Sequence, residues 1–98
     1  MKECISTWLN EQFCGDRETI DMVYAEYKDT IARLLDDLAA ARQSGDATAI
    51  DRALHTIKGS AAMVGDTEVS VLAQESRKLP AAELAPVEER LRAFAGAL

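Results

Sequence analysis

Cysteine is scarce: Cys4 and Cys14 are the only two in 98 residues. Two thiols are too few for a disulfide framework, and their spacing does not fit a zinc knuckle. On one continuous helix they would stand ~15 Å apart along the axis, beyond the reach of a bridge. Both are therefore expected as reduced thiols of an intracellular protein. Proline occurs twice and glycine five times, which excludes collagen-like repeats, and a hydrophobic content of 48% argues against disorder. Long apolar runs are absent. None exceeds four residues, as in Leu38-Ala39-Ala40-Ala41, so no segment can cross a bilayer. Lys2, Glu3, Asn10 and Glu11 break any signal-peptide core near the start, and a cytoplasmic location is expected. Positive charge is also short, with 11 Lys plus Arg against 17 Asp plus Glu and a formal charge of −6. Such a surface repels phosphate backbones, so neither nucleic acid nor a membrane is expected as partner.

Aromatic residues make up only 5% of the chain, and Ala, Leu, Glu, Asp and Arg dominate it, a composition that favours helix. Breaks at Gly15-Asp16, Ser44-Gly45-Asp46, Gly65-Asp66-Thr67 and Leu79-Pro80 divide it into five stretches. In the first, Ile5, Trp8, Leu9 and Phe13 recur at helical spacing. Asp16 is placed to cap a long second helix whose stripe runs through Ile20, Val23, Tyr24, Tyr27, Ile31, Leu34, Leu38 and Ala41, with Gly45 as its left-handed stop. Asp46 caps a third helix with the stripe Ile50, Ala53, Leu54, Ile57, Ala61 and Val64, which Gly65 ends. A fourth helix starts at Asp66 or Thr67, carries Val69, Leu72, Ala73, Ser76 and Leu79, and stops at Pro80. A fifth begins near Pro86 and shows Val87, Leu91, Phe94 and Leu98. The pattern predicts a single all-α domain over residues 1–98. An antiparallel up-down four-helix bundle occupies 16–98, and a short N-terminal helix within 1–15 packs across one end of it.

The third helix is where chemistry can be argued. Each residue advances ~100° around a helix, which places His55 about 150° from the centre of the apolar stripe. The only histidine of the chain is thus expected mid-helix and facing solvent, with Asp51, Gly59 and Ala62 on the same outer face and Lys58 beside it. Taken alone, a surface histidine reads as a solvated polar residue. A zinc site lacks a second His or Cys at i+3 or i+4. There is no G-x-S-x-G for a hydrolytic triad, and neither a phosphate-binding loop nor a kinase signature to hold ATP.

The string His55-Thr56-Ile57-Lys58-Gly59-Ser60-Ala61-Ala62-Met63-Val64-Gly65 changes the balance. It resembles the signature of histidine-containing phosphotransfer (HPt) domains, in which a His is followed by Leu or Ile at +2, Lys at +3, Gly at +4, small residues, and Gly at +10. The likeness extends from Asp16 to Phe94 and includes the Ser-Gly-Asp turn before the motif helix. It implies a helical bundle whose exposed histidine carries a phosphoryl group between receiver-domain aspartates of a multistep phosphorelay. The implied partners are the receiver domains of a hybrid histidine kinase and of a response regulator. The chain itself then needs no cofactor, since the partner receiver holds the Mg²⁺, and it is a phosphocarrier without autonomous catalytic activity.

The residues suit that role. A neutral imidazole is an available nucleophile near neutral pH, and phosphoryl transfer needs positioning and charge compensation above all. His55 is expected as phosphoacceptor and Lys58 as the cation that offsets the phosphoryl oxygens. Gly59, Ala62, Asp51 and Arg77 are expected on the docking face. Asp51 is one turn before His55, placed either to accept a hydrogen bond from one ring nitrogen or to remain a solvated carboxylate. Many relatives carry Glu or Gln on the next helix near the phosphohistidine, whereas the register here puts Arg77 there, with Gln74 and Glu75 nearby. That departure leaves the group that orients the ring open; Arg77 reads either as a phosphate contact or as a solvated helix residue. Two other readings compete. One is the substrate domain of a chemotaxis-type histidine kinase, for whose ATP-binding domain the short chain leaves no room unless it is an excised fragment. The other is a helical adaptor that binds receiver domains without carrying phosphate, against which His55 and Lys58 together argue.

Overall fold

In a computed structural model that describes all 98 residues, the chain forms five α-helices and no strand. They are α1 (Glu3–Gln12), α2 (Arg17–Ser44), α3 (Ala47–Met63), α4 (Thr67–Ser76) and α5 (Leu84–Gly96), with a 3-10 turn at Ala81–Glu83 before the last. The 28 residues of α2 span ~42 Å at 1.5 Å per residue and account for the long dimension of the 43 × 20 × 19 Å molecule. Helices α2 and α4 each pack on both α3 and α5. The short turns between them make neighbours antiparallel, and the bundle closes in the order α2, α3, α4, α5.

The apolar stripes meet in one core. All six expected residues of the motif helix and its end, Ile50, Ala53, Leu54, Ile57, Ala61 and Val64, are buried. On α2 the stripe is shifted slightly: Val23 is only half-buried while Leu35 is buried. A helix packed between two neighbours presents a broader inner face than a single three-four row describes. Leu79 is exposed because α4 ends at Ser76, ahead of Pro80. Helix α5 starts at Leu84 and holds Pro86 in its first turn, where a missing N–H breaks no helical bond.

The caps follow the sequence with two corrections. Gly45 adopts φ +70 and donates its N–H to the Ala41 and Arg42 carbonyls, and the Asp46 carboxylate accepts from the Ala49 N–H at 3.1 Å. Asp16 stands at the N-cap position of α2, but its carboxylate accepts from the Thr19 hydroxyl and caps no backbone N–H. Asp66, at the N-cap position of α4, makes no capping bond either. Its fully buried carboxylate takes Lys2 Nζ on one oxygen at 2.9 Å and the Tyr27 hydroxyl on the other at 2.6 Å.

That carboxylate ties α1 across the end of the bundle where α3 hands over to α4. Ile5 and Leu9 are buried in the common core, Lys2 also lies over the Phe94 ring, and the Trp8 indole donates to the Met63 carbonyl at 3.0 Å. The helix is shorter than the first fifteen residues. It stops at Gln12, and Cys14 and Gly15, both at positive φ, turn the chain into α2. Both cysteines are free thiols.

Candidate functional site

Burial of Ile50, Leu54, Ile57 and Ala61 fixes the rotation of α3 about its axis, and the opposite face carries Asp51, His55, Gly59 and Ala62, all exposed. His55 is thus mid-helix and outward, as the wheel places it. Gly59, one turn on, has nothing within 4 Å of the position its Cβ would occupy, so the surface beside the imidazole is flat and open. Lys58 is half-buried and forms no ion pair.

Arg77 is the residue that reaches His55 from outside α3. It follows the last residue of α4, and α4 lies against α3, so its long side chain crosses to the histidine face. Arg77 Nε donates to Asp51 Oδ1 at 2.9 Å and Nη2 to Oδ2 at 3.2 Å, a two-pronged grip on the carboxylate. The remaining nitrogen, Nη1, stands 3.2 Å from His55 Nδ1. The hydrogen bond from Arg77, reinforced by the guanidinium charge, holds the Asp51 carboxyl below the usual carboxylate range. The same bond raises the guanidinium further above its ordinary value.

Asp51 therefore does not bond to the histidine ring; Arg77 stands between them. A carboxylate matches the planar guanidinium fork with both oxygens, whereas a ring nitrogen can offer it only one contact. Gln74 and Glu75 are exposed and make no side-chain hydrogen bond to the ring. The sequence pointed to each of Asp51, His55 and Arg77 separately but not to their linkage. Arg77 lies 26 residues from Asp51 and 22 from His55, and no local pattern signals a contact of that range. His55 and Asp51 belong to no cluster of three or more side chains able to hold a metal ion.

Residues 22–98 match the family model described as the Hpt domain. The match begins within α2 and takes in α3, α4 and α5, leaving α1 outside it. No curated protein and no solved structure matches the chain.

Proposed function

The chain belongs to the Hpt family, the histidine phosphotransfer modules of two-component signalling, and we propose on that basis that it is a phosphorelay intermediate with His55 as its phosphoacceptor. The phosphoryl group arrives from an aspartyl phosphate on the receiver domain of a hybrid histidine kinase and leaves to the aspartate of a response regulator. The observation that carries the reading is the setting of His55: the only histidine, exposed in the middle of α3, with open space over Gly59 one turn away.

In the loading step a lone pair on the imidazole attacks phosphorus. The bond between phosphorus and the receiver's aspartyl oxygen breaks, and its electrons return to the carboxylate; unloading is the reverse reaction with a second aspartate. The receiver supplies the aspartate and the Mg²⁺, so this chain contributes the nucleophile, its placement and local charge. Lys58 offsets the phosphoryl oxygens as a mobile cation. Asp51, Gly59, Ala62 and Arg77 form the face on which the receiver docks, and the absence of side chain at Gly59 lets the two backbones approach. No helix is long and apolar enough to cross a membrane; a cytoplasmic place of action rests on the identity of the partners.

Incubation with a phosphorylated receiver domain tests the reading. The wild type is expected to gain acid-labile label and His55→Gln, folded to the same extent, to gain none. Label that survives on His55→Gln, or a wild type that no phosphorylated receiver loads, overturns it.

A further inference from the structure

The contact between Arg77 and His55 has a sign. A guanidinium carries only donors, so a hydrogen bond from Arg77 Nη1 to His55 Nδ1, 3.2 Å apart, requires a lone pair on Nδ1. The neutral ring must then hold its single proton on Nε2. Arg77 is not free to turn this contact around, because its other two nitrogens are committed to the two oxygens of Asp51 at 2.9 and 3.2 Å. The fork is aimed by Asp51 and the ring is read by what remains of it.

This arrangement opposes one half of the chemistry and favours the other. With Nδ1 covered by Arg77, the ring nitrogen left for a partner is Nε2, and Nε2 attacks phosphorus only through a lone pair. The reactive tautomer therefore carries its proton on Nδ1, the atom that Arg77 keeps unprotonated. Once the bond from Nε2 to phosphorus has formed and the Nδ1 proton has passed to water, Nδ1 again has a lone pair and Arg77 can donate to it. In that neutral phosphorylated ring the imidazole is a poor leaving group, and departure of the phosphoryl group is helped by return of a proton to Nδ1.

We propose that Arg77, aimed by Asp51, is a positioning residue that sets the tautomer of His55, holding the unphosphorylated ring in its unreactive form and prolonging the life of the phosphorylated one. The proposal rests on His55 being the phosphoacceptor and assigns to Arg77 a donor's role at the ring. A receiver that draws Arg77 away from Nδ1 on docking, leaving it on Asp51 alone, would release the ring for transfer in either direction.

Two measurements test it without a partner protein. In alkaline buffer, long-range proton–nitrogen spectra of the ¹⁵N-histidine-labelled chain should report the proton on Nε2 in the wild type. Arg77→Ala should relax the ring to the mixture of an unstructured peptide, and Arg77→Glu, which offers an acceptor in place of the donor, should move the proton to Nδ1. Asp51→Asn should shift the spectrum in the direction of Arg77→Ala. After loading with phosphoramidate, a small phosphoryl donor, the phosphohistidine of Arg77→Ala should decay about three- to tenfold faster than that of the wild type, the range one hydrogen bond of ordinary net strength supplies at an exposed site. A wild-type ring protonated on Nδ1, or a tautomer that neither Arg77 variant moves, overturns the proposal, as does an unchanged lifetime. A chain that phosphoramidate labels on His55 but no phosphorylated receiver loads would instead overturn the relay reading and leave the tautomer result standing.

Discussion

Trp8 lies directly against Gly65. A Cβ on the glycine would come within 2.5 Å of the Trp8 Cβ and 2.7 Å of its Cγ, while the indole donates to the Met63 carbonyl at the end of α3. Gly65 also holds φ +75, so the backbone and the neighbour both exclude a side chain. The turn that ends the histidine helix is in this way also the seat of α1, a helix outside the family match.

Gly65→Ala should therefore destabilise the domain by about 1–3 kcal/mol, from a strained left-handed residue and a displaced indole. Trp8 is the only tryptophan, so its fluorescence should shift in the folded variant while denaturant midpoints report the loss. A wild-type midpoint with unshifted emission would show that the contact does not hold α1.

Gly59 should behave in the opposite way. It is mid-helix, exposed and open on its Cβ side, so Gly59→Ala should keep or raise stability by roughly 0.5–1 kcal/mol. Gly59→Glu should fold but exchange phosphate with a receiver poorly, through bulk and added negative charge on the docking face. Thermal melts and transfer rates on the pair decide the matter; normal transfer by Gly59→Glu would move docking elsewhere.

For Lys58→Ala, the expectation is a slower transfer with little change in stability, since a half-buried charge without an ion-pair partner contributes little to the fold while the phosphoryl group needs compensation. The deficit should shrink as salt screens the field in the wild type. Equal rates at every ionic strength would remove Lys58 from the mechanism.

Tyr27 makes the fold sensitive to alkali. Burial, and then the hydrogen bond to Asp66, push its phenol above the ordinary tyrosine range, so the folded state keeps this proton where the unfolded chain gives it up. The associated stability is complete below the unfolded value of about 10 and is lost as pH rises above it. Tyr27→Phe should cost about 1–3 kcal/mol near neutral pH by leaving one buried Asp66 oxygen without its donor. It should also flatten the alkaline fall. Denaturant midpoints compared between about pH 8 and 11 check both, and an equally steep fall in the variant would assign the titration to another group.

Much of this protein was settled by its own local pattern. A 3.6-residue period is a property of neighbouring residues, so the spacing of Ile50, Leu54, Ile57 and Ala61 was enough to define an inner face and to turn His55 and Gly59 outward. Gly45 and Asp46 likewise marked the boundary between α2 and α3, because a left-handed residue and a side-chain cap act within one turn of chain. Packing decided the rest. Asp66 carries the signal of an N-cap, yet Lys2 and Tyr27 take its carboxylate; a buried carboxylate bonds to the donors the tertiary structure brings to it. Arg77 reaches Asp51 and His55 only because α4 ends at Ser76 and lies against α3 in one register. Helix periodicity determines which face a residue occupies, and only the docking of one helix on another determines which residue it meets.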